Sequence, residues 1–205
     1  MKKRLLSMLL VLLLALSMLP APVLAADVPG LDAELSSENA LKILKAYDTD
    51  GYYLVNYMLN FENNVDIWLR GADSNADGLD TVVHEYYHSY SFYKPVNFYT
   101  EAIYIGDQED IDVSYADSDL VFPTSEWAET LPEELRTFRF DTYVAEDSVA
   151  MANVRGPYGL LNEFTAYCWG MHNQLALFPY YKAQGSSMKT WYGFFVNCGN
   201  DRQSY

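Results

Sequence analysis

The chain has 205 residues, with 13 Lys and Arg against 28 Asp and Glu, three His, two Cys and 18 Tyr. It is half apolar and 16% aromatic, too much for a disordered acidic tail, and the length suits one core. The acidity argues against nucleic acid or an anionic membrane as a partner.

The first 25 residues carry Lys2, Lys3 and Arg4, then an apolar run from Leu5 to Leu19, a break at Pro20-Ala21-Pro22, and a small-residue end at Ala25. This pattern predicts a secretory signal over 1–25 and a single exported domain over 26–205. The apolar run is short for a membrane span, so no stable membrane insertion is expected after cleavage. Without the signal, 10 basic residues face 28 acidic ones, a formal charge of −18.

Ser36-Ser37-Glu38 opens a helical pattern with Leu41, Leu44 and Tyr47 on one face. Asp48 to Gly51 reads as a turn, Tyr52 to Phe61 as a second helix, and Asn63-Asn64 and Gly71 to Gly78 as loops. Asp80 stands where an N-cap would open a helix running to about Tyr90. Phe98 to Ile105 reads as a strand, Gly106-Asp107-Gln108 as a turn, and Ile111 to Tyr115 as its hairpin partner. Leu131 to Leu135 suggests a short helix, and Phe138, Phe140 and Thr142 alternate as in a strand. Gly156 to Gly159 reads as a turn before a helix from Leu160 to about Leu177, with Leu160, Phe164, Tyr167, Cys168 and Met171 available for packing. The predicted fold class is α+β, helices around a small, mostly antiparallel sheet. Cys168 and Cys198 form a candidate disulfide in an exported chain. The apolar stretch Trp191 to Val196, with nine residues after it, suggests a reading frame that continues beyond Tyr205.

His84-Glu85-Tyr86-Tyr87-His88 is HExxH inside a predicted helix. Residues four apart lie on one helix face, so the two imidazoles can converge on one metal ion. Zinc suits two imidazoles and a carboxylate, with one position left for water. Glu85, rotated by about 100° from His84, can take that water's proton. A competing motif, Asp73-Ser74-Asn75-Ala76-Asp77-Gly78, begins like a calcium loop but has His84 where the pattern needs Glu. An ordinary turn is preferred there, and calcium is a weaker expectation than zinc.

The third ligand sets the class. Ser91 and Lys94 occupy the positions that metzincins fill with Gly and His, which excludes that group. Asn162-Glu163-Phe164-Thr165-Ala166 lies on a later predicted helix. HExxH completed by such a Glu resembles the gluzincin clan of zinc metallopeptidases, and the NExxA segment is similar to that of gluzincin aminopeptidases. The resemblance rests on these two short motifs. It implies a zincin-like fold, with His84, His88 and Glu163 as ligands and peptide or protein as substrate. The chain departs from the clan in two places. The 74 residues between His88 and Glu163 exceed the familiar gap, and Tyr167 stands where the thermolysin-like pattern has Asp. Glu109 fits the usual gap but sits in an acidic turn, so Glu163, on a rigid helix, is preferred. Tyr167, His172 and Tyr158 are candidate donors to a developing oxyanion, and Asn162 is a candidate support for a ligand. The alternatives are a secreted Tyr-rich module that binds carbohydrate or a cell surface, and a zinc amidase acting on cell-wall peptide.

Overall fold

The computed structural model describes residues 34–95, 99–115, 123–136, 140–145 and 155–183. The predicted signal, Phe98, Phe138, Cys198 and the apolar stretch after Trp191 lie outside these residues.

Helix α1 spans Ser37–Tyr47, and the Ser36 hydroxyl accepts the Asn39 N–H at its start. Leu44 and Ile43 are buried beneath it. The turn expected at Asp48 to Gly51 is a single-residue junction instead. Asp48 ends α1 and caps α2, Thr49–Met58, by accepting the Gly51 N–H. A Cβ on Gly51 would stand 2.4 Å from the Asp48 carboxylate, so glycine permits this tight joint. A one-turn helix α3, Val65–Trp68, and a 3-10 turn, Ala76–Gly78, lead into α4, Leu79–Tyr93.

The cap position of α4 falls on Gly78 rather than Asp80, because the 3-10 turn starts the winding earlier than the sequence pattern suggested. Asp80 sits in the first turn, where a carboxylate still complements the helix dipole. It accepts the Thr81 N–H and the Gln174 amide. Helix α4 runs to Tyr93, one turn beyond expectation, and buries Leu79, Val82, Val83, Tyr86, Tyr87 and Tyr90. Each fully buried aliphatic side chain such as Leu54 or Leu79 contributes about 1.5–3 kcal/mol relative to exposure. The buried tyrosines Tyr86 and Tyr90 direct their hydroxyls to partners, Tyr86 accepting from the Asn64 N–H and Tyr90 donating to Asp110.

Strands β1, Thr100–Gly106, and β2, Glu109–Ser114, form an antiparallel hairpin with Ile103 opposite Ile111 and a bulge between Tyr104 and Gly106. Asp107 and Gln108, at φ 52° and 64°, make the two-residue connection with the left-handed backbone that suits strand twist. Asp50 holds this turn by accepting the Asp107 N–H and the Tyr104 hydroxyl.

A one-turn helix α5, Ser125–Ala128, precedes the expected short helix, which is a 3-10 turn at Glu133–Leu135. Phe140–Tyr143 is a helix, α6, rather than the expected strand. Alternation over three residues cannot distinguish the two periods. The expected turn at Gly156 to Gly159 is mostly helix. Gly156, at φ 54°, redirects the chain, and Pro157 occupies the first position of α7, Pro157–Ala176. A short α8, Phe178–Ala183, follows with Pro179 inside its first turn.

The face that α7 buries is not the expected apolar one. Gly159, Asn162, Ala166, Gly170 and Asn173 are buried, while Leu160, Tyr167, Cys168 and Met171 are half-buried and Phe164 is exposed. Small side chains let α7 lie close along α4, the most extensive helix contact among the described residues. A Cβ on Gly170 would stand 3.2 Å from the Asp80 carbonyl oxygen and 3.8 Å from the His84 Cβ. The fold is thus α+β, with α4 at the centre, flanked by α2, α7 and the hairpin.

Candidate metal centre

His84 and His88 stand one turn apart on α4, and Glu163 projects from the first half of α7 across the close helix contact. The His84 and His88 Nε2 atoms are 3.1 Å apart. Glu163 Oε2 lies 3.6 Å from the first and 3.5 Å from the second. These three atoms form a nearly regular triangle. Donors bound tetrahedrally at zinc distances of about 2.0–2.1 Å would be separated by roughly 3.3–3.4 Å. The donor set therefore fits a single ion, and imidazole with carboxylate also serves iron, copper and nickel. It is the one such group of His, Cys, Asp and Glu among the described residues. Glu163 Oε2 is sealed from solvent and makes no hydrogen bond. A buried carboxylate oxygen without a donor is costly, and a cation would offset that cost.

The orientation of His88 follows from its other nitrogen. Asn162, buried on α7, donates through Nδ2 to Ser91 Oγ at 2.9 Å and to Glu101 Oε2 at 3.2 Å. Its Oδ1 then faces His88 Nδ1 in a short contact. An amide oxygen only accepts, so a hydrogen bond here requires the His88 proton on Nδ1 and leaves the Nε2 lone pair for the triangle.

The electrostatics agree with the geometry. Burial alone would raise the Glu163 carboxyl, but contact with His88, the charge of His84 and the Tyr143 hydroxyl hold it below its ordinary value. Burial works to lower His88, and Glu163, Asn162 and Glu85 together raise it above its ordinary value. Burial pushes the Glu85 carboxyl up, with His88 opposing and Glu163 reinforcing, which brings it nearer the range useful for proton transfer.

The remaining sequence candidates separate clearly. The Tyr167 ring packs edge-on against His84, with centroids 4.5 Å apart, and its hydroxyl lies 2.9 Å from that of Tyr143. Tyr143, on α6, is a neighbour of the site that sequence reasoning missed. No short-range pattern marks it, because tertiary folding alone brings α6 to α7. Thr124 anchors this residue by donating to its carbonyl. His172 is not part of the group. Nine residues past Glu163 it has turned about half a revolution and advanced about 13 Å. It meets Asp48 instead, with Nδ1 3.5 Å from Oδ1. Tyr158 packs against Tyr115. Glu109 is exposed at the start of β2 and does not join the triangle. In the calcium-like loop, Asn75 is buried, accepting the Ser36 N–H and donating to the Glu34 carbonyl, and Asp77 accepts from Ser74. Those side chains are spent on holding the turn.

Comparison with protein-family models, with curated proteins and with solved structures returns no match.

Proposed function

We propose that this chain is a secreted, zinc-dependent peptidase of the gluzincin type with a zincin-like fold. The observation that carries the reading is the triangle of His84 Nε2, His88 Nε2 and Glu163 Oε2 beside Glu85. A bound zinc ion would supply a Lewis acid that acidifies water and polarises a substrate carbonyl. His84, His88 and Glu163 would hold it. Glu85 accepts a proton from the attacking water and returns it to the leaving amine, a role its raised pKa favours. Tyr143 and Tyr167 offer hydroxyls to the carbonyl oxygen as negative charge develops there. The same residues serve an amide in cell-wall peptide equally well. The N-terminal pattern supports export.

The test is zinc content and peptide hydrolysis on the purified protein and its Glu85→Gln variant. One zinc per chain in both, with hydrolysis lower by about 10²–10⁴-fold in the variant, is the expected result. Folded protein that takes up no zinc when supplied with it would overturn the reading.

A second reading, a carbohydrate-binding module, draws on the exposed, stacked Phe61 and Tyr93 rings, 6.0 Å apart between centroids. Glycan binding by zinc-free protein would favour it.

A further inference from the structure

Glu101 of β1 is buried, although it lies on a two-stranded hairpin whose Ile105 and Ile111 are exposed. Its two oxygens have divided tasks. Oε1 accepts from the Tyr115 hydroxyl in a short contact and from Arg155 Nη1 at 3.2 Å. Oε2 accepts from Asn162 Nδ2 at 3.2 Å. Arg155 is itself fixed, with its guanidinium 4.3 Å from the Phe92 ring centroid and Nη1 2.7 Å from the Tyr115 hydroxyl oxygen. A cation on one side thus obliges residue 101 to present an acceptor there, and a carboxylate has a second acceptor left for Asn162.

We infer that Glu101 is a positioning residue which, through Asn162, determines which nitrogen of His88 carries the proton. With Glu101 accepting its Nδ2, Asn162 must turn its oxygen toward His88, and His88 must donate from Nδ1. The relay runs from Arg155 through Glu101 and Asn162 to His88, and it joins the hairpin to the α4–α7 pair. Its value for metal binding rests on the cation reading of the triangle, since Nε2 can act as a ligand only when it is unprotonated.

The side-chain chemistry makes a directional test possible. In Glu101→Gln, Arg155 holds the amide oxygen and the new NH₂ faces Asn162. Asn162 then turns its oxygen to Gln and its NH₂ to His88, which moves the His88 proton to Nε2. Adding Asn162→Asp restores an acceptor on both sides, so the double variant returns the proton to Nδ1. The readout is the tautomer of His88 by ¹⁵N NMR of the zinc-free full chain, at a pH where the ring is neutral. The expected sequence is Nδ1–H in the wild type, a shift toward Nε2–H in Glu101→Gln, and Nδ1–H again in the double variant. Zinc affinity is expected to fall by about 10-fold or more in the single variant and to recover in the double one. A merely structural role for Glu101 would not reverse with the second substitution. Wild-type His88 protonated on Nε2 would overturn the inference without any variant, as would an unchanged tautomer in folded Glu101→Gln. The tautomers decide the relay, and zinc binding by the wild type separately decides the metal reading.

Discussion

The two ends of α7 carry the same kinds of residue and use them differently. Near its start, Asn162 and Glu163 meet His84 and His88. Near its end, His172 and Asn173 meet Asp48. Each cluster has an imidazole, a buried Asn and a carboxylate. At the far end, Asp48 accepts from the Gly51 N–H and from Asn173 Nδ2 at 2.7 Å, and His172 approaches the same group. The Asp48 carboxylate is committed to joining α1, α2 and α7. At the near end, the Asn162 bond goes to the outer nitrogen of His88, and three possible ligand atoms converge, with Glu163 Oε2 lacking any hydrogen bond. Residue type does not separate a structural polar cluster from a ligand site. Convergence of several ligand atoms on one point does.

This contrast can be broken by substitution. Glu163→Ala should weaken zinc binding beyond the roughly 10–100-fold cost of losing a residue behind a ligand, measured by competition with a chelating dye. Asp48→Ala should leave zinc affinity unchanged but lower stability by about 2–4 kcal/mol. It removes the α2 cap and strands the buried Asn173 amide, and urea unfolding would report the loss. If both variants lost zinc alike, the two clusters would not be independent. A smaller effect sharpens the far end. The Asp48 contact raises the His172 pKa above its ordinary value, against an opposing effect of burial and with Asp50 assisting. A raised folded pKa means stability that is full below the unfolded value of about 6.5 and is lost as pH rises through the folded pKa. His172 is 44% exposed, so the contribution stays under about 1 kcal/mol. His172→Gln should flatten this part of the pH–stability curve, read by denaturant midpoints from pH 6 to 9.

The sequence made the convergence of His84, His88 and Glu163 legible because helical spacing and a helix-borne acid are local patterns. The helix start at Ser36-Ser37-Glu38 and the hairpin were legible for the same reason. His172 was misjudged because nine residues along a helix is half a revolution out of phase with Glu163. The packing face of α7 was hidden because it consists of Gly, Asn and Ala, which carry no apolar signal although they permit the closest approach. Glu101 and Tyr143 were invisible as site residues. Each reaches the site from an element whose arrival depends on tertiary packing, and nothing in their neighbourhood distinguishes them from the other acids and tyrosines.

The close seating of α7 on α4 through Gly170 and Ala166 separates geometry from chain length. The span between the ligands is set by main chain against main chain, so the number of residues joining His88 to Glu163 does not set it. The 3-10 turn at Glu133–Leu135 is exposed on its solvent side, and a few Gly and Ser residues inserted there should leave zinc affinity unaltered, as isothermal titration would record. That turn can then vary in length, provided β1 still delivers Glu101 and α6 still delivers Tyr143. The recognisable signature of this architecture is a pair of helix faces, HExxH on one and GxxNExxA on the other.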